Sequence, residues 1–116
     1  MSPAAVLDRV GAACVNRPRD CRGALKAVAQ RRIAPGRYRD HQPGDPIDAV
    51  ALVCSRCGQA HGLTTPEELE LVAVRLTRRR DAAENRGDLA SVAYFHAEAT
   101  RLAALAVHLR QAEASR

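Results

Sequence analysis

The chain has no tryptophan, one phenylalanine and two tyrosines, so aromatic residues make up only 3% of its 116 positions. A core without large rings must be assembled from Ala, Val and Leu side chains, each of which removes little surface from water. Such a core is thin, and small chains with thin cores commonly rely on a staple. Lysine is nearly missing too: of eighteen basic residues only Lys26 is a lysine. No stretch approaches the roughly 18 consecutive apolar residues of a membrane span. Met1-Ser2-Pro3-Ala4-Ala5 also lacks the basic run and apolar stretch of a secretory leader. These absences predict a soluble, cytoplasmic protein with no membrane partner. No nucleophile–base pair, glycine-rich phosphate loop or H-E-x-x-H motif is present, so the chain is expected not to be an enzyme.

What is there begins with charge. Residues 1–58 hold ten cations and five anions, whereas residues 59–116 hold eight of each, so the whole excess of +5 lies in the first half. Arginine's planar fork matches phosphate, and Arg17, Arg19 and Arg22, with Arg56 and the nearby Arg31, Arg32, Arg37 and Arg39, are the candidate anion-binding set. Arg78-Arg79-Arg80 instead fans around a predicted helix and reads as a solvated face.

Local signals give an element order. Ser2-Pro3 starts a short helix to about Cys14 through Val6, Leu7 and Val10. Asp20 caps a second helix, with Cys21, Leu25, Val28 and Arg32 on one face and Pro35-Gly36 as its stop. Residues 34–46 carry loop chemistry. Ile47 to Val53 is a β-favouring run and Gln59 to Leu63 a short return strand, a hairpin with Cys54-Ser55-Arg56-Cys57-Gly58 at its tip. Thr65-Pro66-Glu67-Glu68 is a capping box, opening a helix over about 66–86 with Leu69, Val72, Ala73, Leu76 and Ala83 on one face. Leu71 and Val74 form a second apolar strip on that helix, a candidate interface. Asp88 caps a last helix with a seam of Val92, Phe95, Ala99, Leu102, Ala106 and Leu109, folded back antiparallel across Gly87. The expected fold is mainly α with a small β-hairpin, one domain over 1–116. Residues 1–63 carry helices and a zinc-binding knuckle, and residues 64–116 the antiparallel helical hairpin.

Four cysteines in two closely spaced pairs suit a metal better than disulfides in a reducing cytoplasm. Cys54-x-x-Cys57-Gly58 between two short strands resembles the knuckle of a zinc ribbon. The two-residue spacing lets both sulfurs face one tetrahedral ion, and the glycine permits a positive φ that turns backbone N–H groups toward sulfur. The resemblance spans about Val53 to His61 and implies a structural Zn²⁺ with no particular activity. Cys14 and Cys21 are the preferred remaining ligands, although their six-residue spacing exceeds the usual two to four. A competing set uses His61 and His41. Without metal, Cys14 and Cys21 would be buried small hydrophobes. His96-Ala97-Glu98 is similar to a zinc-deaminase H-x-E, but on a helix the two side chains diverge, and His96 and His108 read as hairpin-face histidines.

Two functions remain open. One is a small zinc-binding adaptor or regulatory protein, its apolar helix strip meeting a protein partner or a second copy. The other is a zinc-stabilised module that binds DNA or RNA through Arg17, Arg19, Arg22 and Arg56, with affinity that falls with salt.

Overall fold

The structure, a computed structural model, describes residues 9–14 and 21–115. Four strands are followed by two helices: β1 Leu25–Ala34, β2 Arg37–Asp40, β3 Ala49–Cys54, β4 Ala60–Leu63, α1 Pro66–Asn85 and α2 Leu89–Ala114. The strands form one antiparallel sheet in the order β2-β1-β3-β4.

The second half follows its local signals closely. Thr65 accepts a hydrogen bond from the Glu68 backbone N–H and Pro66 opens α1. Asp88 caps α2 through the Ser91 N–H. Only Arg86, Gly87 and Asp88 separate the helices, so they pack side by side. Leu69, Val72, Ala73 and Leu76 of α1 meet Ala99, Leu102, Leu105, Ala106 and Leu109 of α2, and Ala27 and Val50 of the sheet close the same core. Along the outer strip Val74 is 49% exposed and Leu71 half-buried.

The first half departs from expectation at three places. Residues 25–34 form β1, not the second helix. Leu-Lys-Ala-Val-Ala-Gln-Arg-Arg favours a helix locally, but β3 is an apolar strand with edges that need backbone partners. β1 supplies them over six registered pairs, from Leu25↔Cys54 to Gln30↔Ala49. The alternation of buried Leu25 and Ala27 with exposed Lys26 fits a strand equally well. Pro35-Gly36 is accordingly the turn of a β1–β2 hairpin rather than a helix stop, and β2 occupies part of the stretch read as loop. Arg37-Tyr38-Arg39-Asp40 is too short to announce itself and is a strand because the turn lays it against β1.

The third departure is the first helix. Its start at Ser2 and the Asp20 cap lie outside the described residues. Residues 9–14, though, are a turn followed by an extended segment, which pairs with the residues before and at the start of β1. Gly11 N–H donates to the Leu25 carbonyl at 2.7 Å, Leu25 N–H to the Ala12 carbonyl at 2.8 Å, and Cys14 N–H to the Gly23 carbonyl at 2.8 Å. The capping box is also only half formed. Glu68 is wholly buried, and its carboxylate accepts from the Arg9 backbone N–H at 2.7 Å, the Arg9 guanidinium at 2.9 Å and the Thr64 hydroxyl. Arg9 also donates to the Leu63 carbonyl at 3.0 Å. One carboxylate therefore ties residues 9–14 to α1 and, through Arg9, to the end of β4.

Candidate metal centre

The ladder that replaces the predicted helices is what brings the cysteines together. Cys54 ends β3 opposite Leu25, so Cys21 arrives four residues ahead of that register pair, beside Cys54. Cys14 sits on the neighbouring extended segment, locked to Gly23 by its N–H. Cys57 follows in the turn before β4, where Gly58 takes φ +76°. Their six-residue separation therefore ceases to matter for Cys14 and Cys21: they reach the cluster from two adjacent segments, not from one knuckle.

All four sulfurs lie within 4.8 Å of one another. Cys21 Sγ is 3.5 Å from Cys54 Sγ and Cys14 Sγ is 3.8 Å from Cys57 Sγ, and none is joined in a disulfide. Four thiolates bound to a common ion at about 2.3 Å in a tetrahedron would sit about 3.8 Å apart, close to the spacing of these two pairs. Cys14 and Cys54 are buried, Cys21 and Cys57 half-buried. Leu25 and Leu52 pack around them, with Val10 at the edge. This four-cysteine cluster could hold one metal ion, and its sulfur donors suit a soft or borderline one.

The backbone is arranged for negative sulfur. Cys54 Sγ accepts from the N–H groups of Arg56 and Cys57, each at 3.4 Å, and Cys21 Sγ from the Gly23 N–H at 3.5 Å. For Cys54 the Cys57 N–H is the largest influence; with the Arg56 N–H and the neighbouring thiols it outweighs burial and lowers the pKa from 9.0 to about 6. At Cys21 the Gly23 N–H acts in the same direction, but burial and the bonds shared with Cys54 and Cys57 prevail, so its pKa is raised.

Gly23 is a site residue that the sequence reading missed. It stands two residues after Cys21, as Arg56 stands two after Cys54, and both aim an N–H back at sulfur. A Cβ at Gly23 would lie 2.5 Å from Cys54 Sγ and 2.7 Å from Arg56 Cβ. Gly23→Ala is therefore expected to weaken metal binding at least about ten-fold, the equivalent of one misplaced ligand contact, while Arg22→Ala on the exposed neighbour leaves it unchanged. Competition with a chromogenic chelator reads this directly, and equal affinity in the two variants would remove Gly23 from the site.

The other candidates fall into place around the cage. His61 lies on β4 with its Nε2 3.5 Å from Cys14 Sγ, beside the four sulfurs. His41 is elsewhere, its Nε2 2.7 Å from the Asp45 carbonyl. Arg22 and Arg56 are exposed next to the cage and make no ion pair among the described residues, while Arg17 and Arg19 lie outside them. The proposed wider basic surface is partly neutralised. Arg31 and Arg39 both clamp Asp45, at 2.7 and 2.9 Å, and with the Gln42 N–H they hold that carboxyl below its usual range despite burial. His96 Nδ1 faces Arg80 at 3.1 Å and Glu98 is paired with Arg101, which keeps the H-x-E pair apart.

Comparison with protein-family models, with curated proteins and with solved structures finds no match in any of the three. Among the described residues no helix is long and apolar enough to cross a membrane.

Proposed function

We propose that the protein is a zinc-stapled binding module that works through protein–protein contact, with the metal structural rather than catalytic. The observation that supports a structural metal is the set of four cysteine sulfurs lying within 4.8 Å of one another. Catalytic zinc sites keep a position for water or substrate, whereas four protein ligands fill the coordination shell. Cys14, Cys21, Cys54 and Cys57 would hold the ion, and His61 would support Cys14 from outside. The ion would pin the start of β1, the end of β3 and residues 9–14 to each other, in place of the large side chains this chain lacks.

The contact surface in this reading is the outer face of the helical hairpin. Ala73, Thr77, Ala99 and Ala103 leave a shallow groove between α1 and α2, with Val74 on its lip and Val107 also exposed. Exposed apolar side chains along a groove are best buried against a partner helix, either that of a second copy or that of another protein. Val74→Asp is expected to abolish any concentration-dependent dimer seen by sedimentation, or to lose the partners that wild type retains from its native cell. A wild type that stays monomeric and recovers the same proteins as Val74→Asp would overturn the interaction reading and leave the metal untouched.

A second reading, nucleic-acid binding, is favoured by a different observation. Arg22 and Arg56 stand exposed beside the cage with no ion pair among the described residues, where a rigid scaffold would hold them against phosphates.

A further inference from the structure

A second concave site lies on a face that shares no residue with the hairpin groove. It is a cleft of about 580 Å³ between residues 10–12, the start of β1, the middle of α1 and the start of α2. Its floor is apolar, made by Val72, Leu76, Leu25 and Phe95. Its rim is cationic: Lys26, Arg75 and Arg79 all line it and all are exposed. Arg75 and Arg79 are one helical turn apart on α1, a rise of about 6 Å. Among the described residues the one anion on the rim is Glu98, which accepts two hydrogen bonds from Arg101, at 2.6 and 3.1 Å, and also feels the charge of Lys26. Tyr94 stands at the cleft with 64% of its surface exposed, held edge-on against Phe95 with ring centroids 5.7 Å apart.

We propose that this cleft binds single-stranded nucleic acid, with a base stacked on Tyr94 and the backbone phosphates on Lys26, Arg75 and Arg79. The inference rests on the second reading above and moves its centre from the N-terminal arginines to the cleft. Three kinds of group converge there that single strands use together: a solvent-facing ring that any base can cover, guanidiniums that fork onto phosphate, and an apolar floor for the edge of a base. An exposed tyrosine is otherwise an unusual feature in a chain whose only other aromatics are Tyr38 and Phe95. The rim continues toward the metal cage, because Ser55 of the knuckle lines the cleft and Arg56 follows it. An acidic peptide would use the same cations but would not need the ring face.

The test is fluorescence anisotropy of a labelled 12-nucleotide oligothymidylate with the zinc-loaded 116-residue chain. Three phosphate contacts predict a log–log salt slope of about −2. Tyr94→Ala should weaken binding about ten-fold or more with the slope unchanged, because stacking is not ionic, and Tyr94→Phe should restore it. Arg79→Glu and Lys26→Glu should each flatten the slope by about 0.7. The chain has no tryptophan, so tyrosine emission is visible, and its quenching by the oligonucleotide should disappear in Tyr94→Phe if Tyr94 is the stacking ring. Should wild type fail to bind at 50 mM salt, the nucleic-acid reading falls and the inference with it. Should wild type bind while Tyr94→Ala and Arg79→Glu change nothing and Arg22→Glu with Arg56→Glu abolish it, the reading survives and the cleft is refuted. An oligoglutamate of equal length that displaces the oligonucleotide at equal concentration would likewise overturn base recognition.

Discussion

Cys54→Ser is expected to leave the chain without bound metal and to lower its melting temperature by more than about 15 °C, whereas wild type should carry one zinc per chain. The size of the effect follows from what surrounds the cage. Among the described residues its buried core consists of Leu25, Leu52, Cys14 and Cys54. A structural zinc site contributes roughly 10–16 kcal/mol of apparent binding energy in small zinc-dependent folds, comparable with the entire 5–15 kcal/mol stability of a typical domain. The ion would also cross-link residues 43 apart in sequence, Cys14 and Cys57, and so restrict the unfolded chain. Amides of residues 21–25 and 52–60 should lose hydrogen-exchange protection first, because their ladder ends at the cysteines. Metal analysis, calorimetry and exchange together check this. A wild type free of metal that melts together with Cys54→Ser would refute the zinc site. If His61→Ala releases the ion and Cys14→Ser retains it, a mixed cysteine–histidine site replaces the four-cysteine one.

Arg9→Ala is expected to destabilise the protein by about 3 kcal/mol at neutral pH, on the order of 10 °C in Tm, by leaving the Glu68 carboxylate buried without its cation. The figure is set at the lower end for such pairs because the Arg9 side chain is 32% exposed while that of Glu68 is 1% exposed. The pH dependence has a defined sign. Burial alone would raise the Glu68 pKa, but the bonds from Arg9 and Thr64 prevail and lower it from 4.5 in the native protein. Well above pH 4.5 the carboxyl is ionised in both folded and unfolded chains, and its contribution is complete. As pH falls through 4.5 the unfolded chain takes up the proton first, so stability declines until the lower folded value is passed. Glu68→Gln should lose this segment of the acid limb while keeping the side chain's shape. Denaturant titrations between pH 3 and 7 measure it, and parallel acid limbs for wild type and Glu68→Gln would show that Glu68 is not the linked group.

The helical hairpin was legible because its determinants are local. Thr65-Pro66 and Asp88 satisfy backbone donors within one turn, and the buried positions of α1 and α2 recur at helical spacing. The turn between β3 and β4 was legible for the same reason, since Gly58 after Cys57 permits the positive φ that the turn takes. β1 was not, because Leu25 to Arg32 has the composition of a helix, and only its pairing with β3 makes it a strand. The partner of Glu68 was equally hidden: a glutamate at the third helical position announces a reach back to the cap, and nothing near it in sequence names Arg9, 59 residues away.

Sequence alone therefore determined the two helices, the β3–β4 hairpin, the thin Ala- and Leu-rich core and the identity of the four sulfurs, each of them specified within a few residues by hydrogen-bond and periodicity rules. Tertiary structure alone decided that residues 11–14 and 21–25 run as an extended ladder, which sets Cys14 and Cys21 beside Cys54 and Cys57. It also decided that Gly23 must lack a side chain and that Glu68 answers Arg9. The physical reason is that unpaired strand edges and buried charges must be satisfied by whichever groups the fold brings near, and the energy of those distant partnerships outweighs the fractions of a kcal/mol that separate helix from strand in any single residue's preference.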